Sequence, residues 1–137
     1  MLSHKTTIRV RYADTDKMQI VYNGKYLEYF EVGRAELLRH YGLPYSEVEK
    51  LGYQLPLLEA GITYKTPAVY DDLLEVEAIV KELYSATIFI QYKVFRKDTD
   101  ILISEGFTRH MFIKSDSRKP VRPPEFYLNH LKRYFQR

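Results

Sequence analysis

Two periodicities divide this chain. Thr7 to Tyr12 alternates, with Ile8, Val10 and Tyr12 apolar and Arg9 and Arg11 between them, which is the two-residue period of a strand that buries one face. From Lys25 to Tyr41 the period changes: Tyr26, Phe30, Gly33, Leu37 and Tyr41 recur every three or four residues and predict an amphipathic helix. Asn23 and Gly24 suit its N-cap and first turn, and Gly42 with Pro44 ends it. Gly33 lies inside the apolar stripe, where glycine costs up to ~1 kcal/mol relative to alanine. That cost predicts a helix that must come close to another backbone.

Pro44 to Leu51 predicts a short second helix stopped by Gly52. Tyr53, Leu55 and Leu57 then alternate on odd positions, whereas Ile62 and Tyr64 continue on even ones, so a strand with a bulge near Leu58 to Gly61 is expected. After a turn at Pro67 to Asp72, Leu74, Val76, Ala78 and Val80 predict a clean strand, and Ala86, Ile88, Ile90, Tyr92 and Val94 its hairpin partner. Ile101, Ile103, Phe107, Met111 and Ile113 predict a last long strand, with Gly106 and Thr108 on its other face. A polar, proline-rich linker from Ser115 leads to a short helix over about 124–135. Hairpin-connected strands around one dominant helix give an α+β class: a five-stranded antiparallel sheet wrapped round a long central helix, in one domain over 1–137.

With thirteen Tyr, seven Phe and 45% hydrophobic residues, the chain has the make-up of a packed domain rather than a disordered segment. It contains no cysteine, which excludes disulfide scaffolds, zinc-thiolate sites and thiol nucleophiles. Met1 to Lys5 lacks an apolar signal core, and no stretch approaches the ~20 apolar residues that span a bilayer. A cytoplasmic protein with no membrane span is expected. The net charge of +3 is uneven, since Lys114 onward carries seven Lys/Arg against Asp116 and Glu125. A solvated C-terminal face accounts for that excess, and no nucleic-acid partner is assigned. The four histidines show no metal-ligand spacing, and there is no G-x-S-x-G elbow or phosphate-binding glycine loop. Neither a metal nor another cofactor is expected.

The remaining chemistry lies between Ala13 and Gly24, where Asp14 and Asp16 come just before the helix start. Unpaired N–H groups and a partial positive charge at a helix start can hold an oxyanion while a nearby carboxylate acts as base or nucleophile. The runs Arg11-Tyr12-Ala13-Asp14-Thr15-Asp16 and Ile20-Val21-Tyr22-Asn23-Gly24-Lys25-Tyr26 carry a resemblance, as do Glu31-Val32-Gly33-Arg34, Tyr64-Lys65-Thr66-Pro67-Ala68 and Tyr70-Asp71-Asp72-Leu73. Together they resemble the hotdog-fold acyl-CoA thioesterases of the 4-hydroxybenzoyl-CoA thioesterase and YbgC-like group.

That resemblance implies hydrolysis of an acyl-CoA or acyl carrier protein thioester to a free acid and a thiol. It also implies a homo-oligomer, a dimer with sheets paired edge to edge or a homotetramer, with active sites at the dimer interface. The family's acid falls on Asp16, as nucleophile or general base, and its carbonyl-holding backbone amide on Asn23, with Gly24 beside it. One carboxylate suffices, so Asp14 is expected to shape the loop. Tyr22, Glu31 on the helix and Glu59 beside the bulge are supporting candidates. Tyr22, Tyr26, Tyr29 and Tyr64 are expected in core and interface, where they could also line an acyl pocket. Gln19 and Asn23 stand where many relatives carry Gly and His or Tyr. They keep open a second reading, a catalytically silent hotdog protein that binds acyl carriers or coenzyme A or scaffolds a complex.

Overall fold

The computed structural model describes residues 1–135. Within them the chain runs β1 Leu2–Arg9, α1 Lys25–His40, α2 Tyr45–Lys50, β2 Tyr53–Gln54, β3 Leu57–Tyr64, β4 Leu73–Val80, β5 Ile88–Arg96, β6 Leu102–His110, β7 Ile113–Lys114 and α3 Glu125–Leu131. β1, β4, β5, β6 and β3 form one antiparallel sheet in that spatial order, while β2 and β7 make a small ladder of their own. α1 lies on one face of the large sheet against β1, β4 and β5. This is the α+β hotdog arrangement expected, with a difference of scale. At 16 residues, about 24 Å by the usual helical rise, α1 is short rather than long. No helix among the described residues is long and apolar enough to cross a membrane.

The core forms where α1 meets the inward rows of the sheet: Phe30 stacks on Tyr92 at 4.3 Å, and Leu74, Val76 and Ala78 are fully buried. Gly33 is closely packed, though against side chains rather than the backbone that its cost predicts. A Cβ built there would lie 2.8 Å from Cγ1 of Val76, so α1 sits nearly against β4. Gly33→Ala should therefore lower stability by about 1 kcal/mol, because overpacking costs roughly 1–3 kcal/mol and the gain in helix propensity offsets about 1. A urea-unfolding midpoint that holds or rises would mean that β4 yields freely.

Three elements differ from expectation. β1 begins at Leu2 and ends at Arg9, paired from Leu2↔Val80 to Arg9↔Leu73, so it starts five residues upstream of the alternating run and ends inside it. Its inward row includes His4 and Thr6, and these polar residues hide the period. Val10 still packs inward, but Tyr12 belongs to a 3-10 turn and is largely exposed. β6 departs from its expected pattern over its second half: Ile103 is buried as expected, but Thr108 and His110 are buried as well, while Phe107 stacks on Phe89 at 5.4 Å on the sheet face away from α1. The reason is local satisfaction of the polar groups, described below. The C-terminal helix ends at Leu131 and tightens into a 3-10 turn over Lys132–Tyr134. The expected bulge is present, as a register shift between Leu57 and Glu59 on β3. Tyr53 and Gln54, however, leave that strand to pair with β7.

Candidate active site

The acidic loop is built on Asp14, which is 2% exposed. Its Oδ2 accepts the Arg11 N–H at 3.0 Å and the Tyr29 hydroxyl at 2.9 Å, and its Oδ1 accepts Nη2 of Arg11 at 3.1 Å, with Nζ of Lys25 at 3.8 Å. Burial alone would raise this carboxyl. The Arg11 N–H, the Tyr29 hydroxyl and the Arg11 guanidinium all favour the anion, and together they hold it below the usual carboxylate range. The backbone carbonyl of Asp14 also accepts the Tyr22 N–H at 2.9 Å. Asp14 thus ties the turn to the helix entry, and both of its carboxylate oxygens are occupied.

Asp16 is held differently. The loop folds back through Asp16 N–H to the Ile20 carbonyl at 3.0 Å and Gln19 N–H to the Asp16 carbonyl at 2.9 Å, and bridges Thr15↔Val21 and Ile20↔Val69 close it. Gln19 takes φ 65° to complete this turn, a left-handed position that glycine adopts without strain. The Asp16 side chain is half-buried and lines a surface cleft with Tyr12, Thr15, Met18, Ile20 and Tyr70. Among the described residues its carboxylate accepts one hydrogen bond, from the Met18 N–H at 2.8 Å.

Five residues beyond Ile20, α1 begins at Lys25 with Gly24 as N-cap and no side-chain cap. Asn23 therefore takes no helix amide out of use. The Asn23 and Gly24 N–H groups donate to no described residue, while the Tyr64 hydroxyl donates to the Asn23 carbonyl at 3.0 Å. The Tyr22 ring is exposed and lies over Gly24, where a Cβ would come within 2.9 Å of it. Burial pushes the Tyr26 phenol up to about 12, so Tyr26 serves the wall behind the helix start as a neutral ring.

A second concavity lies farther along α1. It has a volume of about 230 Å³, and Glu31 and Arg34 of α1, Tyr45 of α2, Leu55, His110 and Tyr127 are among the residues that line it. His110 is 2% exposed, yet both ring nitrogens are engaged. A carbonyl can only accept, so Nδ1–H donates to the Leu55 carbonyl at 3.2 Å. Nε2 then accepts the Thr108 hydroxyl at 2.9 Å, and the Tyr92 hydroxyl closes the chain on Thr108 Oγ1 at 2.7 Å.

Burial, reinforced by the Arg34 guanidinium, pushes His110 down to about 4. Protonation is favoured more in the unfolded chain, so this histidine's contribution is present above pH 6.5 and is lost as pH falls toward 4. Between pH 7 and 5 stability should drop by about 2 kcal/mol. His110→Gln should flatten that slope in denaturant titrations; an unchanged slope would assign the acid sensitivity to other groups.

Of the residues singled out from sequence, Asp16, Tyr22, Asn23 and Gly24 come together in one loop and helix entry. Glu31 sits apart, at the second cavity. Glu59 accepts Nε of Arg109 at 3.1 Å on the sheet face away from α1, and it does not line the Asp16 cleft. Sequence reasoning passed over Arg34, His110 and Tyr127, because one basic residue on a helix and one histidine in a strand carry no pattern. The sole available signal was the inconvenient parity of Thr108 and His110 in an otherwise apolar strand.

Residues 10–131 match the family model described as the thioesterase-like superfamily. The chain is 38% identical to a putative esterase of Aquifex aeolicus over 78% of this chain and 82% of that one. It is 32% identical to the putative acyl-CoA thioesterase YneP of Bacillus subtilis over 85% and 84% of the two. Among solved structures, the DHNA-CoA thioesterase of Staphylococcus aureus superposes with a TM-score of 0.83 at 32% identity, covering 98% of this chain and 85% of that one.

Proposed function

This chain belongs to the thioesterase-like superfamily, and from that premise we propose that it hydrolyses acyl-CoA thioesters with Asp16 as the catalytic carboxylate and the Asn23 and Gly24 amides holding the carbonyl oxygen. One observation carries this reading. Among the described residues, a carboxylate with a single hydrogen bond shares a short loop with two helix-start N–H groups that have no acceptor.

The chemistry follows from that pairing. As the thioester carbon becomes tetrahedral, its oxygen gains negative charge, which fixed N–H donors and the helix dipole stabilise. Asp16 either adds to the carbon itself or takes a proton from a water whose oxygen adds. In the first route the thiolate leaves a mixed anhydride that water then splits; in the second the C–S bond breaks directly to the free acid. The first forms two C–O bonds and breaks one, the second forms one; both release a thiolate, which is then protonated. Asp14 is assigned no proton transfer, because its oxygens are committed to Arg11 and Tyr29.

β3 is an edge strand, and its Leu57 and Leu58 are about half exposed. A second copy pairing along this edge would extend the sheet, cover those side chains and place the Asp16 clefts in one homodimer, with pairs of dimers as the further step to a tetramer. The test of the activity is free-thiol release by the purified chain from short, long and aromatic acyl-CoAs and from an acyl carrier protein ester. Turnover of at least one supports the reading. No turnover with any of them would replace it with the silent binding protein.

A further inference from the structure

The N–H groups that the thioesterase reading uses at the start of α1 are fixed by no cap of their own, since the N-cap is Gly24 and no side chain bonds there. Resting on that reading, we infer that Tyr64, 41 residues away on β3, is a positioning residue of this site. Its hydroxyl, bound to the Asn23 carbonyl, aims and strengthens the Gly24 N–H that meets the carbonyl oxygen of the substrate.

The geometry starts with the peptide itself. The Asn23 carbonyl and the Gly24 N–H belong to one planar group, and in a trans peptide they point in opposite directions; no peptide of the described residues is cis. Fixing the carbonyl therefore fixes the N–H. The Tyr64 hydroxyl donates to that carbonyl at 3.0 Å, which directs the Gly24 N–H away from Tyr64, where it donates to no described residue. A carbonyl that accepts a hydrogen bond also polarises its peptide, and the N–H across the plane becomes the stronger donor. Such a brace matters most here, because glycine has the widest backbone freedom, whereas a Ser, Thr, Asp or Asn at the N-cap would bond a first-turn N–H and hold it. The preceding peptide is braced from within the loop: the Tyr22 carbonyl accepts the Lys25 N–H at 2.9 Å, and the Tyr22 N–H donates to the Asp14 carbonyl at 2.9 Å. For the Asn23–Gly24 peptide the brace comes from the sheet.

Tyr64 is itself held. It ends β3 opposite Ser104 of β6, and the N–H groups of Lys65 and Thr66 both donate to the Ile103 carbonyl, at 2.9 and 3.1 Å. Its ring meets the buried Tyr26 ring edge-on at 5.5 Å, and Tyr26 meets Tyr29 at 5.6 Å. Tyr29 ends this row on the Asp14 carboxylate at 2.9 Å. The row thus supports both halves of the site, the amides through Tyr64 and the loop of Asp16 through Tyr29 and Asp14. Tyr64 is half exposed, so losing its hydroxyl strands no buried group, and a phenylalanine ring can still pack on Tyr26. Water can then bond the Asn23 carbonyl, but it does not fix the direction of the peptide.

The experiment compares wild type with Tyr64→Phe on the fastest-cleaved ester of the acyl-CoA panel. In the variant kcat is expected to fall about fivefold, with KM within about twofold of wild type and the unfolding midpoint unchanged. Positioning is separated from support of the fold by the carbonyl stretch, in isotope-edited infrared spectra, of the bound ketone analogue of that ester, in which a methylene replaces the thioester sulfur. Tyr64→Phe is expected to move that stretch to higher frequency, as weaker hydrogen bonding at the oxygen requires. An equal kcat with an unmoved stretch overturns the inference. So does a fall in kcat that tracks a lower midpoint while the stretch stays in place, which makes Tyr64 a prop of the fold, and so does a change confined to KM, which makes it a substrate contact. A wild type that cleaves no ester defeats the thioesterase reading and this role with it, whereas cleavage that is indifferent to Tyr64 defeats the role alone.

Discussion

Asp16→Asn should lower kcat by about a thousandfold or more with little change in KM or in unfolding midpoint. General-base or nucleophilic action by a positioned carboxylate contributes roughly 10²–10⁴-fold, and a thousandfold loss corresponds to about 4 kcal/mol of transition-state stabilisation. The fold should persist because Asp16 accepts one hydrogen bond, from Met18 N–H, and an asparagine oxygen can accept it equally. Binding should persist because the amides of Asn23 and Gly24 are untouched. A variant that keeps full turnover would remove Asp16 from the chemistry. Label that enters the Asp16 carboxylate during single-turnover hydrolysis in ¹⁸O water establishes direct attack, with water adding at the Asp16 carbon of the anhydride.

Asp14→Ala should act through stability instead, with a loss of about 2–4 kcal/mol, from the lost charge-assisted hydrogen bonds and the buried donor they leave behind; the cations Arg11 and Lys25 reach solvent and are not stranded. The substitution strands the Tyr29 hydroxyl, buried at 5% exposure. Against a total of about 5–15 kcal/mol for a typical domain, that is a large share. Asp14→Asn should recover part of it, because one oxygen can still accept from Arg11 or Tyr29. The pH dependence has a definite sign. A carboxyl held below its ordinary value contributes stability above pH 3.8 that disappears as pH falls through the lowered value, so the Asn variant should show a flatter acid limb in denaturant titrations below about pH 4. Activity should fall along with stability in Asp14→Ala, since the loop that carries Asp16 hangs on Asp14. If Asp14→Ala unfolds at the wild-type midpoint, Asp14 does not anchor the loop.

The two aspartates show how far sequence reading reaches at this site. Both stand in one motif two residues apart, and spacing alone cannot say which is free. Burial decides it: Arg11, Lys25 and Tyr29 converge on Asp14, and Asp16 is left half-buried in a cleft. Gln19 is similar, since its departure from glycine is visible in the chain, but the φ of 65° that makes the departure meaningful belongs to the folded turn.

The sequence by itself determined α1 and its ends, the β4–β5 hairpin, the bulge on β3 and the close packing at Gly33. Each of these rests on local chemistry: apolar periodicity, glycine freedom and the residues that start and stop helices. Tertiary structure alone decided the start of β1, the inward turn of Thr108 and His110, and the cavity beside Arg34 and Tyr127. A polar side chain can be buried only where partners meet it, and those partners, Leu55 and Tyr92 for the Thr108–His110 chain, come from strands and loops distant in sequence. Periodicity records the average polarity of a face, whereas hydrogen-bond satisfaction depends on the three-dimensional neighbours of each group.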